Sequence, residues 1–67
     1  MTQIILNGVQ KEIPGGWSIS NLLEQLQVDK KEVAVERNLN VVAKSDFETI
    51  YLENDDRVEI VRFVGGG

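Results

Sequence analysis

Gln3-Ile4-Ile5-Leu6-Asn7-Gly8-Val9-Gln10-Lys11-Glu12-Ile13 reads as a β-hairpin. Two short runs rich in β-branched residues flank Asn7-Gly8. A type I′ turn needs positive φ at both central residues, and Asn and Gly reach that region at least cost. A two-residue loop sets Leu6 opposite Val9. Alternation then places Ile4 and Ile13 on the face of that pair. Pro14-Gly15-Gly16 ends the second strand.

Beyond the hairpin the period changes. Ile19, Leu22, Leu23 and Leu26 recur at i, i+3, i+4 and i+7, one stripe of a helix. Ser18 is a good N-cap, with Ser20 a competing one. Trp17 then stands at N′ and Leu22 at N4, the positions of a hydrophobic staple. Residues 28–32 are polar and read as a loop. Val33-Ala34-Val35-Glu36-Arg37 reads as a strand, Asn38-Leu39-Asn40 as a turn, and Val41-Val42-Ala43 as the return strand. Ser45-Asp46-Phe47-Glu48 has capping-box spacing and predicts a short helical turn. Thr49-Ile50-Tyr51-Leu52 predicts a brief strand. The acidic stretch Glu53-Asn54-Asp55-Asp56 predicts a solvated turn, with Asn54 able to adopt a left-handed conformation. Arg57 to Val64 is the last strand. Val61, Phe63 and Val64 break its alternation, as befits a central strand or an exposed docking patch.

Hairpin, helix, then strands predicts an α+β domain of two layers, with one main helix across one face of a mixed four- to five-stranded sheet. If the first and last strands lie parallel at the sheet centre, the helix is their crossover. That arrangement is the ubiquitin-like β-grasp, though other ββαβ folds share the order. The expected organisation is a β-grasp domain over 1–64 and a flexible Gly-Gly-Gly tail over 65–67.

Composition narrows the function. The chain has 67 residues, no cysteine and no histidine. It therefore lacks a thiol nucleophile, a thiolate metal site and a side chain that titrates near neutrality unperturbed. Its formal net charge is −4, which argues against nucleic acid and suits docking on basic protein surfaces. No apolar run is long enough to span a membrane, and no signal peptide is visible at the start. These features lead to the expectation of a cytoplasmic binding or carrier module that has no catalytic residues and no metal site, and is not an enzyme.

Gly65-Gly66-Gly67 fits two readings. A frayed terminus has this composition. So does a tail that threads a narrow channel and delivers its carboxylate to another protein's active site. Three residues reach roughly 10 Å when extended. A carboxylate becomes a useful electrophile only when one oxygen is made a leaving group, as in an acyl-adenylate, and a terminal glycine leaves its carbonyl carbon unhindered.

Several stretches together resemble the ThiS family of sulfur carriers in thiamin thiazole biosynthesis. They are Asn7-Gly8, Ser18-Ile19 with Leu22-Leu23, Val33-Ala34-Val35-Glu36-Arg37-Asn38, and Val58-Glu59-Ile60-Val61 leading to Phe63-Val64-Gly65-Gly66-Gly67. The resemblance covers nearly the whole chain. It implies that the Gly67 carboxylate is adenylated and then converted to a thiocarboxylate, with Gly65 and Gly66 threading the channel. It implies an E1-like adenylyltransferase of the ThiF type, which uses ATP and magnesium, while the carrier itself binds no cofactor. The remaining implied partners are a cysteine desulfurase route as sulfur donor and a thiazole synthase of the ThiG type as acceptor. Val61, Phe63 and Val64 are the expected docking residues. Two turns depart from the family pattern: Ala43-Lys44 stands where many members have Pro-Arg, and Asn54-Asp55-Asp56 where many have Gly-Asp. The tail logic also fits a molybdopterin-synthase small-subunit-type carrier, a ubiquitin-like modifier, or a non-covalent binding domain with an idle tail.

Overall fold

The hairpin forms in the expected register. β1 (Thr2–Leu6) pairs antiparallel with β2 (Val9–Ile13), with Leu6 opposite Val9 and Thr2 opposite Ile13. Asn7 and Gly8 take φ of 48° and 83°, as a two-residue turn of this hand requires. A computed structural model describes residues 1–63 of the chain. Val64 and the expected tail, Gly65 to Gly67, lie outside the described residues.

Helix α1 (Ile19–Gln25) starts where its cap directs. The Asn21 N–H donates to the Ser18 hydroxyl, and the Ser18 N–H donates to the Asn21 side-chain oxygen, so two groups at the helix start satisfy each other. Ile19, Leu22 and Leu23 face the core, and Trp17 packs against it from the staple position. Past a 3₁₀ turn at Lys30–Glu32, β3 (Val33–Arg37) and β4 (Asn40–Val42) form a second hairpin. β5 (Arg57–Arg62) inserts between the two hairpins, parallel to β1 and antiparallel to β3. The order β2-β1-β5-β3-β4 is the mixed sheet expected, with the first and last strands adjacent at its centre.

Ile4, Ile13, Ile19, Leu22, Val33, Val35, Phe47 and Val58 form the core between helix and sheet. Burying each contributes roughly 1.5–3 kcal/mol before the ordering cost. Asn7 has a second role beyond its turn. β1 pairs with β5 only as far as Leu6 opposite Val58. The Asn7 side-chain oxygen then accepts from the Ile60 N–H at 2.8 Å, so an amide stands in for the strand that has ended.

Three local expectations change. The predicted helical turn is a 3₁₀ turn over Lys44–Asp46 with Ala43 at its N-cap and no side-chain cap bond, so the capping box at Ser45 and Glu48 does not form. Thr49 to Leu52 is not a strand among the described residues; Tyr51 makes only an isolated bridge with Ser18. Its backbone serves the helix start instead, since the Ile50 carbonyl accepts from Ile19 and the Leu52 N–H donates to Trp17. In the acidic turn Asp55, not Asn54, takes the positive φ, at 70°.

The same turn holds the largest departure. Asp56, expected in solvent, is 5% exposed. Its carboxylate accepts from Arg37 Nε at 2.9 Å, Asn38 Nδ2 at 3.1 Å and the Glu53 N–H at 2.9 Å. Burial pushes its pKa up. The bonds from Glu53, Arg37 and Asn38, with the Arg37 charge, outweigh burial and hold it below the usual aspartate value. The corner ties the β3–β4 turn to the start of β5.

Candidate functional site

β5 carries the chain from this corner to the residues that precede the glycines. Its register on β3 decides which side chains meet the core. Val35 pairs with Ile60 and Arg37 with Val58, so Val58 and Ile60 face the helix. Alternation sends Arg57, Glu59 and Val61 to the opposite face, which α1 does not cover. Val61 is 52% exposed, and Phe63, just past the strand, is 55% exposed. The register therefore keeps Val61 out of the core.

The Phe63 N–H donates to the Glu32 carbonyl at 2.8 Å, which extends the β3–β5 ladder one step past Arg62. Val61 lies opposite Ala34, and Val41 of β4 lies on the same open face, opposite Glu36. Val41 is 74% exposed. Val41 and Val61 thus share the open face in neighbouring rows: Val41 in the row of Glu36 and Glu59, Val61 opposite Ala34. Arg57 and Arg62 are both exposed.

Of the six residues expected at the site, the structure describes Val61 and Phe63, and it brings both to the surface at one end of β5. Val64, Gly65, Gly66 and Gly67 lie outside the described residues. Sequence reasoning missed Val41. Val41 and Val42 are adjacent valines on a short strand, and only the pairing of Val42 with buried Val35 shows which of them faces out. It also missed Lys44, whose Nζ reaches the Val33 carbonyl at 3.0 Å from within a turn. Among the described residues no group of three or more His, Cys, Asp or Glu side chains could hold a metal. No helix among them is long and apolar enough to cross a membrane.

Known proteins resemble this chain in sequence and fold. Residues 4–67 match the model of the ThiS family. The sulfur carrier protein ThiS of Bacillus subtilis is 42% identical over 50 residues, which cover 75% of this chain and 76% of that protein. A thiazole synthase of Paramagnetospirillum magneticum is 38% identical over 65 residues, 97% of this chain and 20% of its own length. A thiazole synthase of Magnetococcus marinus gives the same identity and coverage. The chain thus spans about one fifth of those two relatives, at 20% of each. The crystal structure of a thiamine biosynthesis protein (ThiS) from Geobacter metallireducens superposes with a TM-score of 0.84 at 28% identity, over 98% of this chain and 100% of that one.

Proposed function

The chain belongs to the ThiS family, and on that premise we propose that it is a sulfur carrier in thiamin biosynthesis with the Gly67 carboxylate as its carrying group. The observation that supports this best is the reach of the family match, which runs through the last strand and the glycines to residue 67.

In the proposed cycle an E1-like adenylyltransferase joins the Gly67 carboxylate to the AMP portion of ATP, with magnesium bound by that enzyme, and releases pyrophosphate. A persulfide sulfur drawn from a cysteine desulfurase route displaces AMP to give an acyl disulfide, and a thiol then attacks the outer, enzyme-side sulfur, releasing the thiocarboxylate and forming a new disulfide. The thiocarboxylate gives its sulfur to a thiazole synthase. The carrier supplies no acid, base or nucleophile of its own, which accords with a chain lacking Cys and His. The sulfur is held on the terminal carbonyl carbon. Gly65 and Gly66 thread the active-site channel of each partner. Val61 and Phe63, with Val64, dock the partner's surface beside it. Two thiazole synthases contain a region like this chain, which supports such a synthase as the acceptor. The cycle places the protein in the cytoplasm, where ATP is available.

Intact mass measured after incubation with ATP, magnesium, the adenylyltransferase and a sulfide source tests the reading. The expected product has one oxygen replaced by sulfur, and deletion of Gly67 abolishes it. No adenylate and no change in mass, with an enzyme shown to be active on another carrier, would overturn the proposal.

A further inference from the structure

Two contacts hold Phe63. Its N–H donates to the Glu32 carbonyl at 2.8 Å. The Lys44 Nζ lies 5.4 Å from the centroid of its ring, within reach of a cation–π contact. The same Nζ donates to the Val33 carbonyl at 3.0 Å. Lys44 therefore bridges the first residue of β3 and the chain just beyond β5.

Lys44 is itself anchored by the core. It opens the 3₁₀ turn Lys44–Asp46. Its carbonyl accepts from the Phe47 N–H at 3.2 Å, and the Phe47 side chain is fully buried. The Phe47 carbonyl in turn accepts from the Ser20 N–H at 2.9 Å, in the first turn of α1. A surface lysine has long, freely rotating torsions, and holding it in one place costs entropy. Here the backbone beneath it is fixed by a buried ring and the ammonium by a carbonyl, so the aromatic contact is made from a prepared position.

We propose that Lys44 is a positioning residue for the carrier tail: it holds the Phe63 ring and so fixes the direction in which the chain leaves the sheet, without touching the reacting carboxylate. The proposal rests on the carrier reading above. A tail whose root is held samples fewer directions before a partner captures it. Loss of that restraint appears in the capture of the carrier rather than in the chemistry that follows, as a higher KM at unchanged kcat. An exposed cation–π contact is modest, and its loss corresponds to roughly a two- to fivefold change.

Lys44→Met removes the ammonium and keeps the apolar stem. Lys44→Arg keeps a cation that can lie over the ring and donate to the Val33 carbonyl. The Phe63 amide and ring resonances are recorded by NMR in both variants, with kcat and KM of the adenylyltransferase for each as substrate. In Lys44→Met we expect shifted Phe63 resonances, unmoved resonances of core Ile4 and Leu22, and a KM raised about two- to fivefold at constant kcat. Lys44→Arg should stay near the parent in both readouts. Unchanged Phe63 resonances in Lys44→Met, or an arginine variant that behaves like the methionine one, would overturn the proposal. If the parent protein is not adenylated at all, the carrier reading falls and the tail role falls with it. The resonances still decide, separately, whether Lys44 holds Phe63.

Discussion

β5 is built in opposite ways at its two ends. At its start a charged group is buried: Asp56 accepts three hydrogen bonds and pairs with Arg37 at 2.9 Å. Just past its end an apolar ring is exposed: Phe63 has 55% of its surface in solvent, next to half-exposed Val61. Each end reverses the usual placement of polar and apolar groups, for different reasons. A buried carboxylate is tolerated because every bond it needs comes from residues the fold has already fixed, and it locks the turn in return. Half-exposed apolar residues gain little from burial in the isolated chain, which is why the carrier reading assigns them to contact with a partner. One end of the strand serves stability, and on the proposed carrier reading the other serves encounter.

The largest effect that can break this contrast belongs to Asp56. Asp56→Ala leaves Arg37 half-paired and the Glu53 N–H and Asn38 amide without their acceptor. We expect a loss of about 2–4 kcal/mol in urea unfolding, short of a fully buried pair because Arg37 retains solvent contact. A loss under about 0.5 kcal/mol, the range of ordinary surface changes, would remove the corner from the account of stability. The same group sets a pH dependence. Its folded pKa lies below the ordinary 3.8, so its contribution is fully present above that value. As pH falls from there through the folded pKa, the contribution disappears. Acid titrations of stability should therefore be steeper below 3.8 in the parent than in Asp56→Asn.

At the other end, Val61→Asp should behave in the reverse way. Stability should stay within about 0.5 kcal/mol of the parent, while the adenylyltransferase KM rises roughly tenfold. An unfolded variant, or one with parental KM, would show that Val61 is a packing residue or an idle one.

Leu39 sharpens the contrast by a smaller amount. It sits in the β3–β4 turn beside the Asp56 corner with φ of 72° and 82% of its surface exposed. A left-handed leucine with little packing in return is strained, so Leu39→Asn should raise stability by roughly 0.5–1 kcal/mol. Destabilisation in thermal melts would mean that Leu39 makes a contact worth more than its strain.

What was legible in the sequence follows from how local each signal is. Asn7-Gly8 fixes a turn from two residues, and the stripe of Ile19, Leu22, Leu23 and Leu26 fixes a helix face from eight, so hairpin and helix could be read directly, while the sheet order was one of several that the element order allows. The Asp56 corner could not, because Arg37 and Asn38 come to it from 19 and 18 positions away in the chain. Alone, Glu53 to Asp56 looks like any acidic turn. Thr49 to Leu52 has strand composition, but its hydrogen bonds go to the residues that start α1, a use that composition does not encode. At the candidate site, Val61 and Phe63 were legible as candidates from their place before the glycines. Their exposure was not, since Val61, Phe63 and Val64 break the alternation that would have assigned a face. Lys44 gave no signal because its partners are the Val33 carbonyl and the Phe63 ring, which only folding brings to it.

The position of β5 between β1 and β3 also bears on how the protein is made. A nascent chain that ends before residue 57 holds two hairpins and a helix but no strand to join them. Its sheet closes only when the ribosome has released the last strand, and the contacts that close it span most of the chain. The finished surface thus acts as a receipt for translation. On the proposed reading, a partner that recognises the folded sheet would pass over any product cut short before residue 57, because such a chain has no β5 to close the sheet.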